Sequence, residues 1–220
     1  MCGRFVITTP SDAVARLFDA VPANDLPPVP NYNVCPTNRI HVVVSDAGRR
    51  LVAMRWGFIP HWYKTPSDGP LLINARAESI AEKPAFRAAA RERRCLIPAD
   101  GFYEWTKDEA DNRLPWHIRR ADGRPLAFAG VWQEWERDGE RLTTCAIVTT
   151  AAAGEMTRIH HRVPVHIADE DRALWLGEEG KGAARLMAPP ADGTLEVFRV
   201  DPRVNSNRAS GADLIEPVTA

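Results

Sequence analysis

Cys2 directly follows Met1, and a side chain this small ordinarily permits removal of the initiator methionine. The product would carry a free α-amine and a thiol on one residue, a 1,2-aminothiol. An α-amine titrates near about 7.7 to 8.0, so a sizeable fraction is neutral at pH 7 without tuning by burial. Such an amine attacks an aldehyde to give a Schiff base, and the neighbouring thiol then closes a five-membered thiazolidine, a durable product that a lysine imine does not reach. The bland alternative is an incidental residue at a frayed terminus. Gly3 suits a close backbone approach, Arg4 suits a phosphate, and Phe5, Val6 and Ile7 read as the start of a strand, so the terminus is expected to be anchored.

Three further groups of residues could carry chemistry. Leu72 and Ile73 lead into Asn74, Arg76 and Glu78, an amide, a guanidinium and a carboxylate. The bland reading is a helix start with Asn74 as N-cap and Glu78 in the first turn. The segment Cys-Leu-Ile-Pro-Ala-Asp-Gly-Phe-Tyr-Glu-Trp at 95–105 reads as a buried strand that breaks at Pro98 and Gly101 and then presents Glu104 between Tyr103 and Trp105. A carboxylate so flanked is partly desolvated, which favours its protonated form and suits proton transfer near neutral pH. Finally, His160 and His161 precede Arg162 and a proline-marked strand. If this stretch is extended, His160 and Arg162 share a side and His161 looks away, although a structural, hydrogen-bonding histidine fits the sequence equally well.

Composition bounds what these groups can do. At 220 residues the chain fits one domain over residues 1–220. With 28 basic and 29 acidic side chains it lacks the global positive field of an unspecific nucleic-acid binder, so any such contact must be local. The four cysteines show no paired or Cys/His zinc spacing, so neither a metal, another cofactor nor a disulfide framework is expected. No apolar run approaches membrane length and the start has no leader pattern, which points away from membranes and to the cytoplasm.

Strands must position the candidate residues, because the apolar runs are short and rich in β-branched or aromatic side chains. They fall at residues 40–44, 51–56, 126–132, 144–150 and 195–200. Turn signals at 46–48, 122–123 and 138–139 separate several of them at hairpin distance. Short helices are expected after Thr9, which offers a capping hydroxyl, over residues 84–94, and over residues 169–176 with Gly177 as the stop. The proline-rich stretch 21–38 reads as an ordered surface loop. The economical architecture is an α+β fold, a single β-rich domain with a mainly antiparallel, barrel-like sheet and a few short helices.

Four motifs together resemble the SOS-response-associated peptidase (SRAP) family: Met-Cys-Gly-Arg-Phe at the start, Asn-Ala-Arg-Ala-Glu at 74–78, the segment 95–105, and Ile-His-His-Arg-Val-Pro at 159–164. The likeness extends through 32–37, 55–60, 204–206 and 214–217, nearly the whole chain. It implies a mature N-terminal cysteine that crosslinks to the ring-opened aldehyde of an abasic site in single-stranded DNA, shielding the site during the DNA damage response. By motif, Cys2 would be the nucleophile, Asn74 would orient the cysteine or the opened sugar, Glu104 would handle proton transfer, and His160 would assist ring opening. Arg4, Arg76, Arg162 and Trp56 would line a single-strand channel, with the indole stacking and the guanidiniums on phosphates. The resemblance further implies autocatalytic removal of Met1, for which ordinary aminopeptidase processing is a sufficient alternative, and leaves strand cleavage by an abasic-site lyase step open; a monomer, nucleoid-associated if bacterial, is expected. Two positions depart from the family: alanine is common where Cys35 stands, and methionine where Val163 stands. Two rivals remain: an N-terminal-nucleophile hydrolase or cysteine peptidase using Cys2, His160 and Asn74, and a non-covalent single-strand DNA-binding module.

Overall fold

Runs of β-branched and aromatic residues make strands the main element of the computed structural model, which describes residues 2–218. In chain order they are β1 (Phe5–Ile7), β2 (Val21–Pro22), β3 (Asn31–Val34), β4 (Arg39–Ser45), β5 (Arg49–Trp56), β6 (Asn74–Arg76) and β7 (Arg94–Ala99). There follow β8 (Gly101–Lys107), β9 (Arg113–Arg120), β10 (Leu126–Arg137), β11 (Glu140–Ala151), β12 (Arg162–Pro164) and β13 (Leu195–Arg199). The helices α1 (Ser11–Leu17), α2 (Arg87–Glu92) and α3 (Arg172–Leu176) are short, as expected.

Two sheets result. One runs β13, β9, β8, β1, β3, antiparallel throughout. In the other, β11, β10, β7, β4 and β5 pair in turn, and a parallel contact of Thr144 with Arg55 and Cys145 with Trp56 joins β11 back to β5. That contact closes a five-stranded barrel, onto which β12, β6 and β2 are added. The expected β-rich, barrel-like architecture is therefore present.

The sheets meet at Asp100, where the chain leaves β7 in the barrel and enters β8 in the second sheet. The Asp100 carboxylate accepts from the backbone N–H and hydroxyl groups of both Thr8 and Thr9, pinning the end of β1. Gly101 is needed here, because a Cβ would stand 2.3 Å from Nε2 of His117 and 2.9 Å from the Ile118 carbonyl. Over this junction Phe5, Trp56, Phe102 and Phe128 pack edge to face, with Phe5 and Trp56 centred 5.1 Å apart and Phe102 and Phe128 5.7 Å apart. One hydrophobic core thus joins the start of the chain to the barrel.

The structure corrects several expectations. Thr9 does not cap α1, because its hydroxyl is spent on Asp100 at 2.6 Å. The turn at 122–123 links β9 to β10 across the two sheets, whereas 46–48 and 138–139 close hairpins. At the latter, Asp138 and Gly139 both take positive φ, 52° and 83°, the geometry that matches strand twist in a two-residue hairpin. Pro98 does not break β7; it continues the ladder opposite Ala127. The proline-rich stretch contributes β2 and β3 between its loops. α2 starts at Arg87, three residues after Pro84, and α3 follows a 3-10 turn at Asp169–Asp171 before ending at the left-handed Gly177.

Candidate active site

Cys2 lies at the edge of β8. The β1–β8 pairing of Phe5 with Phe102 and Val6 with Gly101 continues toward the chain start through the Tyr103 N–H, which donates to the Arg4 carbonyl at 3.0 Å. Glu104 is thereby brought beside Cys2. The thiol is fully buried, and its Sγ lies 3.9 Å from the Arg4 carbonyl oxygen. Burial pushes its pKa far up, and the negative charge of Glu104 adds to the effect. Glu104 is itself only 3% exposed, and the same burial raises its carboxyl above the ordinary carboxylate range. The expected desolvation of Glu104 is present.

Asn74 reaches the same point from the barrel. It opens β6, which runs parallel to β11 with Asn74 opposite Ile147 and Arg76 opposite Thr149. This is strand, so the expected N-cap of a helix is replaced: the N–H of Ala77 bonds the Thr149 carbonyl at 2.8 Å instead of starting a helical turn. The freed side-chain amide donates from Nδ2 to the Cys2 carbonyl at 2.8 Å. Its Oδ1 is buried and has no hydrogen-bond partner among the described residues, leaving an acceptor beside Cys2.

His160 sits where the chain bends into β12. Its Nδ1 accepts from the Arg162 backbone N–H at 2.9 Å. The stretch is not extended at this point, and His161 does not look away: the two imidazoles stack, 4.3 Å apart and 28° from coplanar. Burial lowers the His160 pKa.

The residues expected to line a DNA channel divide sharply. Trp56 is fully buried, donates from Nε1 to the Ile73 carbonyl at 3.0 Å and packs on Phe5, so it is a core residue with no face for a base. Arg162 is 8% exposed and holds Glu78 bidentately at 2.7 and 2.9 Å while bonding the Thr149 carbonyl at 2.6 Å, so its guanidinium is already occupied. Those bonds hold the Glu78 carboxyl down at about 2. Arg4 donates to Asn33 Oδ1 at 2.6 Å and the Val204 carbonyl at 3.1 Å, tying the chain start to its C-terminal turns. Arg76 is exposed on β6.

Trp62 was missed from sequence. It is 45% exposed in the loop between β5 and β6, with His61 and Tyr63 in edge contact with its ring. The signal was available: an adjacent Trp and Tyr precede a run of Thr, Pro, Ser, Asp and Gly, where no periodic pattern can carry both rings into a core.

Comparison with known proteins agrees with this architecture. A family model described as SOS response associated peptidase (SRAP) matches residues 1–207. The chain is 36% identical to the abasic site processing protein YoqW of Bacillus subtilis, over 98% of this chain and 99% of the relative. It is 33% identical to the abasic site processing protein YedK of Escherichia coli, over 99% of this chain and the whole of YedK. To the rat abasic site processing protein HMCES it is 30% identical, over 99% of this chain and 76% of HMCES. A crystal structure of a Bacteroides thetaiotaomicron protein superposes with a TM-score of 0.88 at 23% identity, covering 99% of this chain and all of the other, which establishes likeness of fold.

Proposed function

The chain belongs to the SOS response associated peptidase family, and we propose that it captures abasic sites in single-stranded DNA by a covalent bond to Cys2 once Met1 has been removed. The observation that carries this is the convergence on Cys2 of Glu104, which bears on its thiol, and Asn74, which holds its carbonyl at 2.8 Å. The curated relatives bear the name abasic site processing protein.

The raised thiol pKa sets the order of steps. A neutral thiol is a poor first nucleophile, so the α-amine of Cys2 attacks the aldehyde carbon of the ring-opened sugar. The carbinolamine loses its hydroxyl as water, taking a proton from Glu104, whose raised pKa suits it to hold one. The resulting iminium is attacked by the thiol, whose proton passes to the Glu104 carboxylate, leaving a neutral thiazolidine and Glu104 protonated as at the start. The buried Oδ1 of Asn74 accepts from the amine and orients its lone pair. His160 donates to the sugar ring oxygen as it opens and takes up the proton that the anomeric hydroxyl loses as the aldehyde forms. Met1 removal precedes all of this, by an aminopeptidase or by the cysteine itself. Strand cleavage by β-elimination needs the imine, so ring closure protects the strand.

Non-covalent binding rests on few contacts. Arg76, exposed on β6, takes a phosphate, and the exposed Trp62 takes the stacking role in place of the buried Trp56. A net charge of −1 is compatible with this, because covalent capture does not require tight prior binding.

Cys2→Ala retains an amine but cannot form the ring. It is expected to give no adduct that survives boiling in detergent, while reversible binding to the same oligonucleotide persists. Equal yields of stable adduct from Cys2→Ala and wild type would overturn the assignment.

A further inference from the structure

Resting on the reading above, we propose that Glu78 is a positioning residue for His160: through Arg162 it fixes which imidazole nitrogen carries the proton offered to the sugar. Nδ1 of His160 lies 2.9 Å from the Arg162 backbone N–H and 3.2 Å from the Arg162 carbonyl oxygen; the N–H can only donate and makes the shorter contact, which assigns Nδ1 as the acceptor and the proton of the neutral ring to Nε2. That tautomer donates from Nε2 without being charged, and the proton that the anomeric hydroxyl loses as the aldehyde forms restores it after it has protonated the ring oxygen.

What holds Arg162 in place is its side chain. The two guanidinium nitrogens Nη1 and Nη2 bind the two Glu78 oxygens at 2.7 and 2.9 Å, and Nη2 also reaches the Thr149 carbonyl at 2.6 Å. A planar guanidinium fork gripping a carboxylate at two points fixes orientation as well as position. Glu78 is anchored in turn by the Ala151 N–H at 3.2 Å, and Ala151 lies opposite Arg162 in the β11–β12 ladder. The segment bearing Asn74 and the segment bearing His160 are therefore coupled through one ion pair across the end of β11. The hydrogen bonds of the Glu78 carboxylate go to Arg162 and Ala151, so its effect on His160 runs through Arg162.

The test uses the full-length protein with Glu78→Gln, which keeps the shape and removes the charge, and Arg162→Lys, which keeps the charge and removes the fork. Nitrogen-15 spectra of the histidine rings report the tautomer directly. Wild type should show His160 protonated at Nε2, and both variants should show a mixture. Capture is then timed on two oligonucleotides, one with a natural abasic site and one with an acyclic aldehyde that has no sugar ring to open. The variants should be slowed about tenfold on the first and unchanged on the second. An unaltered His160 tautomer in folded variants, or equal slowing on both substrates, would overturn the positioning role. If wild type captures neither aldehyde, the Cys2 function fails, while the tautomer spectra still decide the role of Glu78.

Discussion

The side-chain amide of Asn74 donates to the carbonyl oxygen of Cys2 across 2.8 Å, joining a barrel strand to the first described residue of the chain. Removing that donor leaves a buried carbonyl unpaired, at a cost of about 1 to 3 kcal/mol. Asn74→Ala should therefore slow adduct formation at least about tenfold, with Met1 removal unaffected if a separate aminopeptidase performs it. Rates of adduct appearance on denaturing gels check this.

Glu104 is kept buried with a raised carboxyl, and its folded-state pKa exceeds its unfolded value. The folded protein thus binds the proton more tightly, so this group costs stability as pH rises through that interval. Glu104→Gln should be more stable than wild type at pH 8 yet form adduct more slowly, with little change in binding. Melting curves and adduct rates measured on the same preparations check both halves.

The stacking role expected of Trp56 should fall to Trp62. Trp56→Ala opens a cavity in the core and should cost about 3 to 5 kcal/mol of stability. Trp62→Ala should leave stability nearly unchanged and weaken binding to intact single-stranded DNA by about 1 to 3 kcal/mol, the usual worth of one stacked base. Denaturant titration and fluorescence anisotropy separate the two.

His117 is buried between Tyr103 and Phe198, each 5.3 Å away, with neither ring nitrogen hydrogen-bonded among the described residues. Burial lowers its pKa to about 4, against about 6.5 when unfolded. Between those values only the unfolded chain takes up the proton. Stability is therefore full above about pH 6.5 and falls toward pH 4, by roughly 3 kcal/mol from this group. His117→Phe keeps the stack and should lose less stability than wild type over that range, as read by melting temperature against pH.

Much of the framework was legible because strands announce themselves by composition: residues 40–44 and 51–56 lie inside β4 and β5. What escaped depends on tertiary context. The sequence around Asn74 suits a helix cap, but β11 offers a parallel edge that the local segment takes instead. An indole followed by Gly57 looks much the same whether it faces a core or a base, and only closure of the barrel by β5 and β11 buries Trp56. Arg162 looked available because its partner, Glu78, lies 84 positions away. Cys2 and Glu104 were recognisable by chemistry, Asn74 and His160 by their motifs; the convergence of Cys2, Glu104 and Asn74 required the pairing of β1 with β8 and of β6 with β11.

Covalent capture by Cys2 is tested most directly by intact mass measurement of the purified protein after incubation with a single-stranded oligonucleotide bearing one abasic site. A species weighing the protein without Met1 plus the oligonucleotide less one water, absent with undamaged DNA and absent for Cys2→Ala, is the expected result. Protein that has lost Met1 and yet shows no such species would contradict the mechanism.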